Sequence, residues 1–249
     1  MTDLDAALAE LGSAKTLLVA LDFDGVLAPI VPVPSDARPL PGSAAAIEAL
    51  ADLPGTTVTM VSGRGLADLA AVSGFTSPVR MIGSHGFEFD DGATPLDDEQ
   101  RTRLETLTAE LHDLVDGEPG VTLESKPAGM AVHVRNAAPE VGERVMAAVR
   151  NGPAARPGVE ATPGKAVLDL AVLQVSKGSA IETLRERLGA DAVFFAGDDV
   201  TDETAFAMLR PGDVGVKVGD GETRAAHRVA DPEAMTQVLR QLLAARTTR

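Results

Sequence analysis

The sequence predicts an α/β fold, in which a doubly wound parallel sheet is interrupted by an inserted α+β module. Two observations support this class. Short apolar runs alternate with amphipathic helical stretches towards both ends of the 249-residue chain, and the order in the middle changes to helix, strand, strand. Strands that alternate with helices favour a parallel sheet, because each crossover helix returns the chain to the start of the next strand.

Four short apolar runs are predicted to be buried parallel strands. Each is bounded by glycine or by an acidic residue, which is typical of strands covered on both faces. They span 16–21 ("TLLVAL"), 56–61 ("TTVTMV"), 79–83 ("VRMIG") and 192–197 ("AVFFAG"), and helices are predicted at 43–53, 178–189 and 232–245. The resulting core is Rossmann-like, and such sheets bind ligands beyond the carboxyl ends of their strands.

The inserted α+β module is predicted to span residues 97–172, leaving 1–96 and 173–249 to form the core. Helices are expected at 99–115 and 139–150, and strands at 120–125, 129–136, 158–162 and 165–171. In the second of these strands Met130, Val132 and Val134 alternate with Ala131, His133 and Arg135. This period of two predicts a sheet with one exposed face.

Composition excludes several classes of function. A net charge of −15 argues against nucleic acid as a partner, but not against a small anionic substrate bound beside a cation. The absence of cysteine excludes disulfides, thiol catalysis and thiolate metal sites. No run approaches the length of a membrane span, and the first residues lack the pattern of a signal peptide, so we expect a cytoplasmic protein without a membrane partner. The oligomeric state is left open.

Acidic side chains follow the first and last predicted core strands. Asp22 and Asp24 come after one, and Asp198, Asp199 and Asp202 after the other. A single Asp-x-Asp pattern is more often a solvated turn, but five aspartates at neighbouring strand ends would repel one another without a cation. An all-oxygen ligand set favours Mg²⁺.

These aspartates suit phosphoryl transfer. Asp22 can be the nucleophile that forms an aspartyl-phosphate, while Asp24, on the same side of an extended chain, handles the proton of the leaving group. Ser62 in "VSGR" can donate a hydroxyl to phosphate or cap the helix that follows. Lys177 opens a predicted helix, where a cation opposes the helix dipole, so its position favours an anion-binding role.

The ordered motifs "DFDG", "VSGR", "SKG" and "GDDVTD" resemble those of the haloacid dehalogenase superfamily of phosphatases. The resemblance implies that Asp22 is the nucleophile, Asp24 the general acid and base, and that Ser62 and Lys177 bind phosphate. It also implies that Mg²⁺ is held by Asp22, the carbonyl of Asp24 and Asp198, with Asp199 and Asp202 in support.

A narrower resemblance covers nearly the whole chain. "DFDGVLAPIV", "IGSHGFE", "MAVHVRN", "GKAVLDL" and "FFAGDDVTDETAF" are similar in order and spacing to trehalose-6-phosphate phosphatases. It implies hydrolysis of trehalose 6-phosphate in trehalose biosynthesis, and it makes the inserted module a cap that recognises the sugar. The sugar-binding positions then fall on Glu124, Lys126, His133, Arg135, Lys165 and Asp169. The sequence departs from the family at Val26, Pro127 and Asp169, where Thr, Gly and Glu are usual.

Several assignments have structural alternatives. Glu124, Lys126, His133 and Arg135 could be the solvated face of a half-buried sheet. Arg64 and His85 are predicted to bind substrate, but Arg64 could instead pair with a carboxylate and His85 could pack locally in a turn. Rival functions are phosphatases for sucrose phosphate or mannosylphosphoglycerate, and a non-catalytic sugar-phosphate sensor.

Overall fold

A computed structural model describes residues 3–93, 96–164, 166–173 and 175–247. The chain divides into two compact units, one formed by Met1–Gly92 with Val175–Arg249 and the other by Ala93–Gln174. The first unit contains both terminal segments, and the second is a single insertion. The predicted boundaries of the inserted module, 97 and 172, lie within the second unit.

The elements follow one another in a mixed order. The helices are α1 (Asp3–Gly12), α2 (Pro41–Ala51), α3 (Leu66–Ser73), α4 (Asp98–Val115), α5 (Pro139–Asn151), α6 (Lys177–Leu188), α7 (Glu203–Phe206) and α8 (Pro232–Thr247). The strands are β1 (Leu17–Leu21), β2 (Thr56–Val61), β3 (Arg80–Gly83), β4 (Glu88–Phe89), β5 (Gly92–Ala93), β6 (Thr122–Lys126), β7 (Gly129–His133), β8 (Glu160–Gly164), β9 (Val167–Ala171), β10 (Ala192–Gly197), β11 (Val214–Val218) and β12 (His227–Val229).

The first unit is built on an eight-stranded sheet in the order β12-β11-β10-β1-β2-β3-β4-β5. The strands from β12 to β3 are parallel, and β4 joins β3 antiparallel. The predicted α/β class is therefore confirmed. The four strands predicted from sequence are the four central ones, whereas β4, β5, β11 and β12 were missed.

Helices cover both faces of this sheet. Alternate residues of β1 point to opposite faces, so Val19 belongs to a hydrophobic cluster with residues of α1, α2, α3 and α8, while Leu18 belongs to a second cluster with residues of α6 and α7. Every residue of β1 and β10 is buried. This double coverage explains why the strands are apolar throughout. Because the strands run parallel, their carboxyl ends lie at one edge of the sheet.

The second unit has a four-stranded antiparallel sheet in the order β6-β7-β9-β8. α4 and α5 pack on each other, and α4 also contacts β6 and β7. The predicted one-sided strand is correct only in part. Ala131 is fully buried although it lies on the polar face, because the longer side chains of Glu124 and Asp169 stand on either side of it in the register. β7 also ends at His133, three residues before the predicted end.

Within the described residues, no helix combines the length and the apolar character that crossing a lipid bilayer requires.

Candidate active site

Asp22 lies directly after β1, in an almost fully buried position with 5 % of its surface exposed. Its Oδ1 accepts a hydrogen bond from the backbone N–H of Phe23 at 2.7 Å, and its Oδ2 lies 2.8 Å from the ammonium of Lys177. Burial raises the pKa of Asp22 to about 8, with Asp202 adding to the shift and Lys177 opposing it. A carboxylate at this position therefore depends on nearby positive charge.

Lys177 supplies part of that charge. It is the first residue of α6, whose start is fixed by reciprocal hydrogen bonds between Ser176 and Ser179. Its ammonium is 2.8 Å from both Asp22 Oδ2 and Asp202 Oδ1. Burial alone would lower the pKa of Lys177, but the two carboxylates outweigh burial and raise it. The lysine is thus a charged bridge between two strand ends.

Asp202 organises the loop after β10. It is fully buried at the end of a short 3₁₀ helix, Val200–Asp202. While Oδ1 binds Lys177, Oδ2 accepts the backbone N–H groups of Asp198 and Asp199, each at 2.9 Å. With both oxygens engaged, Asp202 shapes the loop that presents Asp198. Asp199 is exposed, and its Oδ1 accepts the N–H of Val200.

Three of these carboxylates form a cluster that could bind a metal ion. Oxygen atoms of Asp22, Asp198 and Asp202 all lie within 4.8 Å of one another. Burial raises the pKa of Asp198 to about 6, and the charge of Asp202 adds to the shift. A β-carbon at Gly25 would lie 2.1 Å from Asp198 Oδ2, so the glycine, with φ +77°, lets that carboxylate approach the β1 loop. A hard cation suits this all-oxygen set.

Asp24 pairs with Arg64 and is not one of the three clustered carboxylates. Its two oxygens accept hydrogen bonds from Nε and Nη2 of Arg64 at 2.6 and 2.8 Å. Arg64 also donates to Asp68 and to the carbonyl of Pro34, so each of its three nitrogens has an acceptor. The structure therefore contains the alternative arrangement, in which Arg64 pairs with a carboxylate.

A cavity with a volume of about 550 Å³ lies beside Asp22, and Ser62 and His85 are among the residues that line it. Ser62 is 1 % exposed, and its Oγ accepts the N–H of Arg64. The helix-capping alternative for Ser62 is wrong, because the residue that precedes α3 in the cap position is Gly65. His85 packs its ring against Gly63, where a β-carbon would lie 2.5 Å from Cε1. The cavity is lined further by Asp22, Asp24, Lys177, Asp198 and Asp199.

Glu124, Lys126, His133 and Asp169, four of the six predicted sugar-binding residues, lie on the polar face of the second unit's sheet and pair with one another. His133 Nε2 is 2.8 Å from Glu124 Oε2, and Lys126 donates to Asp169. Arg135 is exposed in the turn after β7. Lys165 lies outside the described residues. Four of the six predicted positions therefore form two neighbouring pairs.

Sequence reasoning missed Lys217. This lysine is buried in β11, with 4 % of its surface exposed, and its ammonium donates to the carbonyl of Asp198. The available signal was a lone lysine within the valine-rich run "VGVKV". It was overlooked because no motif contains it.

The chain belongs to the trehalose-phosphatase family, whose sequence profile matches residues 20–235. It is 35 % identical to a trehalose-phosphate phosphatase of Mycobacterium marinum, over 95 % of this chain and 65 % of the relative. It is 33 % identical to a bifunctional trehalose-6-phosphate synthase/phosphatase of Thermoproteus tenax, over 96 % of this chain and 33 % of the relative. The chain thus spans from one third to just under two thirds of the length of these relatives.

A solved structure shares the fold. Trehalose-6-phosphate phosphatase of Aspergillus fumigatus superposes with a TM-score of 0.70 at 24 % identity, and the match covers 98 % of both chains. At this level of identity the likeness supports the fold alone.

Proposed function

We propose that this protein is a Mg²⁺-dependent phosphatase that hydrolyses trehalose 6-phosphate to trehalose and phosphate through an aspartyl-phosphate on Asp22. One observation carries the proposal: a buried carboxylate at the end of β1 lies 2.8 Å from a buried lysine and faces a cavity shared with Asp24 and Ser62. Membership of the trehalose-phosphatase family supports the choice of substrate.

In the first half-reaction an oxygen of Asp22 attacks phosphorus, and the bond from phosphorus to the sugar oxygen breaks. Asp24 donates a proton to the departing sugar oxygen. The Lys177 ammonium and the Ser62 hydroxyl stabilise the charge on the phosphoryl oxygens. The products are an acyl-phosphate on Asp22 and free trehalose.

In the second half-reaction Asp24, now a carboxylate, takes a proton from water, and the oxygen of that water attacks phosphorus. The bond between Asp22 and phosphorus breaks, which releases phosphate and restores the carboxylate. Both carboxylate oxygens of Asp24 accept a hydrogen bond from Arg64. Proton donation by Asp24 in the first half-reaction therefore requires this pair to loosen.

The proposed Mg²⁺ ligands are Asp22, the Asp24 carbonyl and Asp198, with Asp199 and Asp202 in support. When bound, Mg²⁺ neutralises charge on the phosphoryl group and on Asp22. The residues themselves fit the ion, since oxygen atoms of three described carboxylates lie within 4.8 Å of one another and the charge of Lys177 balances only part of theirs.

The second unit is proposed to act as the cap that recognises the sugar. Its paired polar face offers carboxylate, ammonium and imidazole groups to hydroxyls, and the pairs keep these groups oriented in the absence of sugar. The predicted cytoplasmic location and small-molecule partner stay predictions.

Phosphate release from a panel of sugar phosphates tests the proposal. The panel contains trehalose 6-phosphate, sucrose phosphate and mannosylphosphoglycerate, each assayed with Mg²⁺ and with EDTA. We expect trehalose 6-phosphate to have the highest kcat/KM and EDTA to abolish turnover. A preference for another sugar phosphate would support a phosphatase but contradict trehalose 6-phosphate as its substrate. If no sugar phosphate released phosphate, a non-catalytic sensor would be favoured.

A further inference from the structure

One buried cation has no part in the chemistry proposed above. Lys217 lies in β11, all five residues of which are buried. It is absent from the described residues that line the cavity around Asp22. An ammonium group is costly to bury unless hydrogen bonds or opposite charges compensate it, so a lysine in this strand needs a reason.

Its protein partner is a backbone carbonyl and not a carboxylate. Nζ of Lys217 donates to the carbonyl oxygen of Asp198. Two other buried cations of this unit have ion-pair partners: Lys177 has Asp22 and Asp202, and Arg185 has Asp213. For Lys217, no carboxylate lies within salt-bridge distance in the part of the chain that the structure describes.

This hydrogen bond completes the support of one peptide group. The peptide between Asp198 and Asp199 is held at its N–H by Asp202 Oδ2, at 2.9 Å, and at its C=O by Lys217. The N–H of Asp198 itself is bound by the same Asp202 oxygen. Asp198 is therefore fixed on both sides of its α-carbon, which sets the direction of its side chain.

The direction that results brings the Asp198 carboxylate to the loop after β1. Its Oδ2 occupies the space beside Gly25, at 2.1 Å from the position that a β-carbon would take there. This is the approach that joins Asp198 to Asp22 in the three-carboxylate cluster. The register between β10 and β11 places the lysine next to this loop, since Lys217 pairs with Gly197, the residue before Asp198.

We propose that Lys217 is a positioning residue for the divalent-cation site: its ammonium holds the Asp198 carbonyl and so aims the Asp198 carboxylate at the cation. The inference rests on the proposed function, because that function supplies the cation. Lys217 touches neither substrate nor cation. Its effect belongs to cation affinity and not to the chemical step.

The test is Mg²⁺ binding by isothermal titration calorimetry, with wild type compared to Lys217→Met and Lys217→Arg. Methionine fits a buried strand but donates no hydrogen bond, whereas arginine keeps both the donor and the charge. We expect K217M to raise the Kd for Mg²⁺ by about tenfold and K217R by less than about threefold. The Mg²⁺ concentration for half-maximal turnover should rise in parallel, with kcat at saturating Mg²⁺ nearly unchanged.

Arg246→Met is the matched control. Arg246 is also a buried cation that donates to backbone carbonyls, but these belong to Gly12, Ala14, Lys15 and Gly55, which precede β1 or β2 at the opposite edge of the sheet. Its loss should lower the melting temperature without changing the Kd for Mg²⁺. If K217M does not fold, Lys217→Gln replaces it. We expect the same rise in the Kd for Mg²⁺, because the glutamine side chain is too short to reach the Asp198 carbonyl.

The outcomes separate the two proposals. Wild-type affinity for Mg²⁺ in a folded K217M or K217Q overturns the positioning role and leaves the phosphatase intact. A lower kcat at saturating Mg²⁺ with an unchanged Kd also overturns it, since the lysine would then act on the chemical step. A wild-type protein that binds no Mg²⁺ overturns the proposed cofactor itself.

Discussion

At the residue scale, Asp22 is the group whose removal most directly tests the covalent mechanism. Asp22→Asn keeps the volume of the side chain but removes the attacking oxygen and replaces one hydrogen-bond acceptor with a donor. We expect turnover to fall by roughly 10⁴-fold or more, with the melting temperature maintained or raised, because the substitution also removes a buried carboxylate that burial disfavours. Activity within about tenfold of wild type would contradict an acyl-phosphate on this residue.

Asp24 should be sensitive to the leaving group. In Asp24→Asn no proton is donated to the departing oxygen, so a sugar phosphate should lose roughly 10²–10⁴-fold in kcat. An aryl phosphate, whose leaving group needs less help, should lose much less. The ratio of the two losses is the measurement. Equal losses would mean that Asp24 serves the cation or Arg64 only.

At the element scale, the central strands and the motifs could be predicted from the sequence, and the outer strands of the large sheet could not. β1 and β10 are covered on both faces and so read as unbroken apolar runs. β4, β5 and β12 are two or three residues long, too short for a periodicity to be recognised. In β11 a glycine and a lysine interrupt the apolar run, and the reason for that lysine lies in a strand-end loop distant in sequence.

The candidate site was predictable to a similar extent. The aspartates could be placed because parallel strands end at one edge of a sheet. Their individual partners could not: the sequence allowed Arg64 to pair with a carboxylate, but not that this carboxylate is Asp24, 40 positions away. Likewise, the pattern of β7 predicted a polar face, but not that Glu124 and Lys126 have partners on neighbouring strands.

The polar face of the second sheet should determine which sugar phosphate is hydrolysed and should not affect the phosphoryl transfer itself. Glu124→Gln and Lys126→Met each remove the charge from a proposed partner of a glucose hydroxyl, and a site built to pair with hydroxyls loses strongly when such a partner is missing. We expect kcat/KM for trehalose 6-phosphate to fall by roughly tenfold to a thousandfold, and hydrolysis of an aryl phosphate to change little.

Glu140→Gln is the control for this prediction. Glu140 is an exposed acid in the first turn of α5, so its loss changes the charge of the same unit without touching the sheet. It should leave both substrates unaffected. Parallel losses for both substrates in the sheet variants would indicate a general disturbance and remove the proposed role in sugar recognition.

At the scale of the whole molecule, the acidic cluster links stability to pH and, through the proposed cation site, to Mg²⁺. The pKa of Asp22 is raised to about 8 and that of Asp198 to about 6, mainly by burial. Above the ordinary aspartate pKa of 3.8, the folded protein therefore holds protons that the unfolded chain has released. The stability that these protons supply is complete below that value and is lost as the pH rises through about 6 to 8.

At the proposed site Mg²⁺ would compete with protons for the same carboxylates, so the stabilisation by Mg²⁺ should grow over that pH range. We expect the melting temperature to rise more on addition of Mg²⁺ at about pH 8 than at about pH 5.5, with EDTA-treated protein as the reference. At a concentration of 100 times Kd the gain in unfolding free energy is about 2.7 kcal/mol. Asp198→Asn, which removes one proposed ligand, should reduce the shift at both pH values. A shift that is the same at both pH values in wild type would mean that Mg²⁺ binds away from Asp22 and Asp198, and the site would have to be sought elsewhere on this acidic chain.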